Sequence, residues 1–244
     1  MSEKAIRYPR RKLIRTILRA GIAAVLGTIA DVKINGRENL PKSGPLLIIG
    51  NHFHFLDPVA MILAMPYPIE FIGGLRTPNA PGWTETFRQA WGVLHVRRGT
   101  SSRDSLLAAT DVLKLGGALA IFPEGGSWAT VLRPPRPGAA LLAARSNAPI
   151  LPVGFNGLID VFPALSKRKR ARVEINIGKP FGPFQFSGKE KSMREQMDDF
   201  GHDMMRHLRD LIPAAQHGYY SDDPAVREAA RGTEIYPWEG MIEE

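Results

Sequence analysis

Short, largely apolar runs recur along this chain, and helix-patterned stretches separate them. The runs are Pro45–Gly50, Ile69–Gly73, Gly92–Val96, Ala118–Phe122 and Ile150–Phe155. A strand that is apolar at every position is buried on both faces, and that requires helices packed above and below a largely parallel sheet. The intervening segments supply the helices. Pro58–Met65 follows an Asp-Pro step, with Asp57 suited to the N-cap and Pro58 to the first turn. Ser102–Leu115 stops at Gly116-Gly117, Pro137–Ser146 is rich in Ala and Leu, and Glu190–Leu211 is amphipathic and ends before Pro213. Val32–Asn35 alternates like a short strand, and Arg172–Gly178 alternates as an edge strand does. The expected fold class is therefore α/β, a mixed, largely parallel sheet flanked by helices, with an amphipathic helix in front of it.

Charge divides the 244 residues into zones. The formal net charge of +8 invites a nucleic-acid reading until it is located. Lys4, Arg7, Arg10, Arg11, Lys12, Arg15 and Arg19 face only Glu3 in the first twenty residues. Lys167, Arg168, Lys169, Arg170 and Arg172 form a second cluster, and the rest of the chain is slightly acidic. Asp222, Asp223, Glu228, Glu234, Glu239, Glu243 and Glu244 concentrate the acid at the C-terminus. The expected organisation is a basic amphipathic segment and linker over 1–43, a catalytic α/β domain over 44–217, and a loosely held acidic tail over 218–244.

Leu13–Ala30 is apolar but interrupted by Arg15 and Arg19, which makes a membrane span costly. Arg11, Arg15 and Arg19 recur every fourth residue and form one stripe on a helix. Two readings stand. The helix lies in the headgroup layer of an anionic membrane through residues 1–30, or it packs on the domain with its arginines in water. The first predicts vesicle binding that weakens with salt and is lost on deleting residues 1–30. A basic protein that only binds nucleic acid would need clustered Lys/Arg with stacking aromatics on one face, and the basic helix here is apolar on its other side.

Two loops carry candidate chemistry. Asn51-His52-Phe53-His54-Phe55-Leu56-Asp57-Pro58 follows a buried strand and precedes a helix, the place where α/β proteins build sites. Asp57, five residues beyond His52, can hold one imidazole nitrogen and leave the other to take a proton. The alternative is a helix cap beside a hydrogen-bonded loop histidine. A binuclear H-x-H-x-D-H metal site would need an acid at Leu56 and a histidine at Asp57, and the sequence has neither. In Phe122-Pro123-Glu124-Gly125-Gly126-Ser127 a strand ends in a turn where glycines let a ligand approach the backbone. The chain has no cysteine and no G-x-S-x-G elbow, so neither a thiol nor a serine nucleophile of that kind is available.

Taken in order, Asn51-His52 with Asp57, Gly92–Arg98, Phe122–Gly125 and Ile150–Val153 resemble the four motif blocks of the glycerophospholipid acyltransferase family over roughly Val32–Lys179. Bacterial 1-acylglycerol-3-phosphate acyltransferases are among its members. The resemblance implies transfer of a fatty acyl group from a thioester, acyl-CoA or acyl carrier protein, to a hydroxyl of a lysophospholipid such as lysophosphatidate. It implies His52 as general base oriented by Asp57, with no covalent intermediate, no metal and no cofactor. It implies an acceptor site that uses Asn51, Arg97, Arg98, Glu124, Gly125, Gly126 and Pro152. The family usually continues Phe-Pro-Glu-Gly with Thr-Arg, where this chain has Gly126-Ser127. Arg133 and Arg136 follow as replacement phosphate contacts, or the acceptor is another lipid or sugar hydroxyl. The Lys167–Arg172 run is either a solvated turn or an attraction for an acidic donor. The expected location is peripheral, on the cytoplasmic face of the cell membrane.

Overall fold

The computed structural model describes residues 8–74, 80–96, 103–186, 191–235 and 237. Helix α1 (Lys12–Ile29) runs straight into strand β1 (Ala30–Asn35), and then come β2 (Leu46–Gly50), α2 (Asp57–Ala64), β3 (Ile69–Gly74), α3 (Trp83–Trp91) and β4 (Leu94–Val96). After these come α4 (Arg103–Lys114), β5 (Ala118–Ile121), α5 (Pro137–Ser146), β6 (Ile150–Asn156), α6 (Val161–Ser166), β7 (Ala171–Ile177), α7 (Met193–Arg209) and α8 (Pro224–Ala229).

The seven strands form one sheet in the order β1-β7-β6-β2-β5-β3-β4. β2, β3, β4, β5 and β6 run parallel, whereas β7 is antiparallel to β6 and pairs in parallel with β1. The α/β class and the mixed, largely parallel sheet are as the apolar runs require. β2 shows why its run is continuous. Leu46 and Ile48 face a layer with Ile22 and Leu26 of α1, Met61 of α2, Trp91 of α3 and Val161 of α6. Leu47 and Ile49 face the other layer, with Val112 of α4, Leu142 of α5 and Met204 of α7. Successive side chains point to opposite faces, so both faces demand apolar residues.

Three local expectations change. β7 alternates although it is no edge strand: β1 lies on its far side, in the register Val32↔Val173, and the alternation reflects burial of one face only. Residues 30–35, set apart with the N-terminal segment and linker over 1–43, pair with β7 and belong to the sheet, with Val32–Asn35 a strand as its alternation suggests. The acidic tail is also held as far as Ile235. The Leu132 N–H donates to the Gln216 carbonyl, the Tyr219 N–H donates to the Leu132 carbonyl, and the Trp128 indole N–H reaches the Thr233 carbonyl at 2.8 Å.

Of the arginine stripe, Arg15 faces inward, whereas Arg11 stays exposed and Arg19 half-buried. Arg15 is 3% exposed and makes a two-pronged pair with buried Glu70 of β3, at 2.6 Å to each oxygen. Arg10 adds a third guanidinium contact at 2.6 Å. Arg15 Nε, Arg10 and Arg11 also donate to backbone carbonyls at the end of α3, namely those of Trp91, Gly92, Gln89 and Ala90. Neither sequence reading placed these arginines here. The outer face of α1 carries Leu13, Ile17 and Val25, with small residues among them. No described helix is long and apolar enough to cross a membrane.

Candidate active site

The parallel strands deliver their loops to one end of the sheet, and the loops after β2 and β5 meet there. Asn51 anchors the first loop. Its Nδ2 donates to the Phe155 carbonyl at 3.0 Å, and its Oδ1 accepts the Phe155 N–H at 2.7 Å. The fully buried amide thus clamps the loop to β6, and its contribution to the site is positional. Pro152 belongs to the same strand, buried, with its ring beside Gly178.

Asp57 is the first residue of α2, and its carboxylate turns back over the loop instead of capping the helix. Oδ2 accepts the Phe53 and His54 N–H groups at 2.7 Å each and lies 3.0 Å from His52 Nδ1. A carboxylate can only accept, so Nδ1 carries the proton and Nε2 presents its lone pair. Among the described residues Nε2 has no hydrogen-bond partner. The His52 side chain keeps 13% exposure, enough for a substrate atom to reach an otherwise enclosed ring. Phe122 stacks on that ring at 4.2 Å between centroids.

Glu124 comes from the loop after β5 and fixes His52 from the other side, accepting the His52 backbone N–H on Oε1 at 2.7 Å. Its second oxygen, Oε2, receives Arg133 Nε at 3.0 Å. Arg133 is 1% exposed, so this is a fully buried ion pair. Burial pushes the Glu124 carboxyl up to about 7, against the opposing pull of Arg133 and the His52 N–H. Burial likewise lowers the Arg133 guanidinium. Arg133 also donates to the Gly126 carbonyl and covers the face of Trp128, 3.9 Å from the ring centroid. Its Nη1 is buried with no partner among the described residues.

Gly125 adopts φ +80°, a left-handed conformation that costs glycine little, and its N–H closes the turn onto the Phe122 carbonyl. A Cβ there would press on Arg136 at 3.1 Å, so Arg136 lies at the rim of this turn. Arg136 donates to the Glu234 carbonyl at 3.4 Å, which ties the rim to the C-terminal segment. The geometry therefore brings His52, Asp57, Glu124, Gly125, Gly126, Arg133 and Arg136 together. Arg97 and Arg98 lie outside the described residues. Sequence reasoning listed Arg133 as a phosphate contact and missed that Glu124 takes it up.

The His54 side chain lies in an aromatic cluster on the flank of the His52 loop. Its ring packs on Phe55 and faces Phe162 at 6.0 Å, and burial lowers its basicity. The Phe55 ring in turn meets Trp83 at 6.0 Å and Phe162 at 5.7 Å. These aromatics wall one side of the His52 loop. Among the described residues there is no cluster of three or more His, Asp or Glu that could hold a metal ion.

The arrangement offers a tethered imidazole base next to a strand-end turn held by a buried carboxylate. Residues 31–156 match the acyltransferase family. The chain belongs to that family. Among its relatives, a chloroplastic 1-acyl-sn-glycerol-3-phosphate acyltransferase of Brassica napus is 28% identical over 179 residues, covering 70% of this chain and 51% of the relative. The 1-acyl-sn-glycerol-3-phosphate acyltransferase of Bacillus subtilis is 24% identical over 169 residues, covering 68% of this chain and 81% of the relative. That of Borreliella burgdorferi is 29% identical, covering 51% of this chain and 52% of the relative. The match thus spans about half the length of the Brassica and Borreliella relatives. The crystal structure of the 1-acyl-sn-glycerophosphate acyltransferase PlsC from Thermotoga maritima superposes with a TM-score of 0.57 at 21% identity over 84% of each chain. At that identity the superposition shows the shared family fold.

Proposed function

We propose that this protein is an O-acyltransferase that moves a fatty acyl group from an acyl thioester to the free hydroxyl of lysophosphatidate, giving phosphatidate. The observation that carries the reading is the His52–Asp57 pair, with Nδ1 held at 3.0 Å and Nε2 left to accept a proton. The names of the relatives in Brassica napus and Bacillus subtilis support the acceptor.

In this mechanism the acceptor hydroxyl gives its proton to His52 Nε2 as its oxygen attacks the thioester carbonyl. The tetrahedral intermediate then expels the thiolate, which takes the proton back from the imidazolium. One ester forms, one thioester breaks, and no acyl-enzyme is needed. Asp57 fixes the tautomer and supports the transient charge on the ring. Glu124 fixes the backbone of His52, and Arg133 fixes Glu124. The donor is acyl-CoA or acyl carrier protein, and the enzyme works peripherally on the cytoplasmic face of the cell membrane.

One observation favours a second acceptor class. Gly126-Ser127 occupies the place of Thr-Arg, and the next arginine, Arg133, is paired with Glu124. An acceptor with a hydroxyl in place of the phosphate fits that arrangement. Purified full-length protein given one acyl thioester and a panel of acceptors distinguishes the two. Transfer to lysophosphatidate that disappears in His52→Ala is the expected result. Preference for a non-phosphorylated acceptor would transfer the proposal to the second class, and a folded His52→Ala variant with substantial turnover would end the mechanism.

A further inference from the structure

Because β7 runs against β6, the residues that lead into β7 lie at the sheet end where β2, β5 and β6 finish, beside the His52 loop. Those residues are α6 and the basic run that follows it. On one side α6 adjoins the site, for Phe162 faces both His54 and Phe55. On the other side the run is tied to the end of α1, where Arg170 donates to the Gly27 carbonyl at 2.8 Å and the Ala30 carbonyl at 2.5 Å. α1 and α6 also share one layer of the core, through Ile22, Leu26 and Val161.

The outward side of this layer carries a series of exposed apolar side chains among small and polar ones, with a carboxylate, Asp160, just before α6. α1 exposes Leu13, Ile17 and Val25, α3 exposes Trp83, and α6 exposes Phe162 and Leu165. Next to them Lys167, Arg168 and Lys169 are exposed and, among the described residues, make no ion pair. Apolar side chains bordered by unpaired cations are what an anionic leaflet takes up. An acidic donor protein would account for the cations but would leave the apolar face of α1 unmatched.

We propose that α6 and Lys167–Lys169 form a second bilayer contact, which seats the mouth of the His52 site directly on the leaflet. Phe162 and Leu165 enter the boundary between headgroups and acyl chains, while the three cations meet headgroup phosphates. The inference rests on the reading of α1 as a membrane-surface helix, and it shifts the electrostatic share of binding from the N-terminal arginines to this run.

The test is sedimentation of the full chain with vesicles of phosphatidylcholine containing phosphatidylglycerol, at low and high salt. Three variants are compared: K167Q/R168Q/K169Q, F162S/L165S, and L13S/I17S in α1. A cation beside an anionic leaflet is worth about fivefold in partitioning, so the triple variant is expected to lose on the order of 10–100-fold affinity and most of the salt dependence. Its melting temperature and its turnover on detergent-dispersed substrate stay unchanged. F162S/L165S is expected to weaken binding at both salt concentrations.

If L13S/I17S releases the protein while the α6 and triple variants bind normally, the second contact is overturned and the α1 reading stands. Where the α6 and triple variants lose binding and L13S/I17S does not, the second contact stands and α1 is no anchor. No change in any variant overturns both. A triple variant that binds vesicles normally but needs far more acyl carrier protein thioester assigns the run to the donor and overturns the proposal.

Discussion

At the scale of single residues, the site depends on two carboxylates with different duties. Asp57 holds the imidazole and two backbone N–H groups, whereas Glu124 holds the backbone of the same histidine. On the proposed mechanism His52→Ala removes the base, and steady-state turnover should fall about 10²–10⁴-fold with the melting temperature nearly unchanged. Asp57→Asn should lower turnover and stability together, because a neutral amide weakens the hydrogen bonds from Phe53 and His54 as well as the hold on His52; a thermal melt beside the assay checks this. Glu124 makes a pH prediction. Its carboxyl sits near 4.5 in the unfolded chain and is raised to about 7 in the fold. The folded state therefore binds the proton more tightly, and the stabilisation present below pH 4.5 is lost as pH rises through 7. Relative to Glu124→Gln, whose amide does not titrate, the wild-type protein should lose stability steadily between about pH 5 and 7 in denaturant titrations. A parallel pair of curves would show that burial does not shift this group. His52, Asp57 and Glu124 were legible in the sequence because each ends or follows a strand run. The partner of Glu124 was not, since it depends on how the chain returns after Trp128.

At the scale of elements, α1 is the instructive case. Its residue pattern promised an amphipathic helix, and a helix formed, but the pattern could not say which face turns inward. A guanidinium is excluded from a core unless a carboxylate is buried with it, and Glu70, concealed within the run Ile69–Gly73, is that carboxylate. The one acid in an apolar strand was the available signal. Removing one partner of a buried pair leaves the other uncompensated and costs about 3–5 kcal/mol. Glu70→Ala should therefore cost about that much in urea unfolding and free the N-terminal arginines, whereas Lys12→Gln, at an exposed position, should cost almost nothing. Proteolysis after Arg15 should be slow in the wild-type protein and become fast in Glu70→Ala. α3 was missed for a simpler reason. Trp83, Phe87 and Trp91 recur every fourth residue, but the segment is short and follows a Pro- and Gly-rich loop.

At the scale of the whole molecule, the chain closes on itself from both ends. The N-terminal helix and β1 extend the sheet beyond β7, and the segment after α7 returns across the loop that carries Arg133. Composition marked that final stretch as a solvated acidic tail, because net charge reports solubility and partners but not tertiary pairing. On its own side the tail is held largely through backbone groups: the Tyr219 N–H donates to the Leu132 carbonyl, and the Thr233 and Glu234 carbonyls accept from the Trp128 indole and from Arg136. Such bonds leave no trace in side-chain pattern. Trp128 joins the tail to the site, with its N–H on Thr233 and its ring face under Arg133. The two functions can be separated. Trp128→Phe keeps an aromatic face for Arg133 and loses the N–H, at a cost of about 1 kcal/mol for the hydrogen bond. Trypsin cleavage at Arg231 should then accelerate about fivefold, while turnover changes little. Trp128→Ala removes the ring as well, and the Arg133 guanidinium loses its cover beside Glu124. Turnover should then fall together with tail protection, and a Trp128→Ala enzyme with full activity would show that the Arg133–Glu124 pair needs no support from the returning chain.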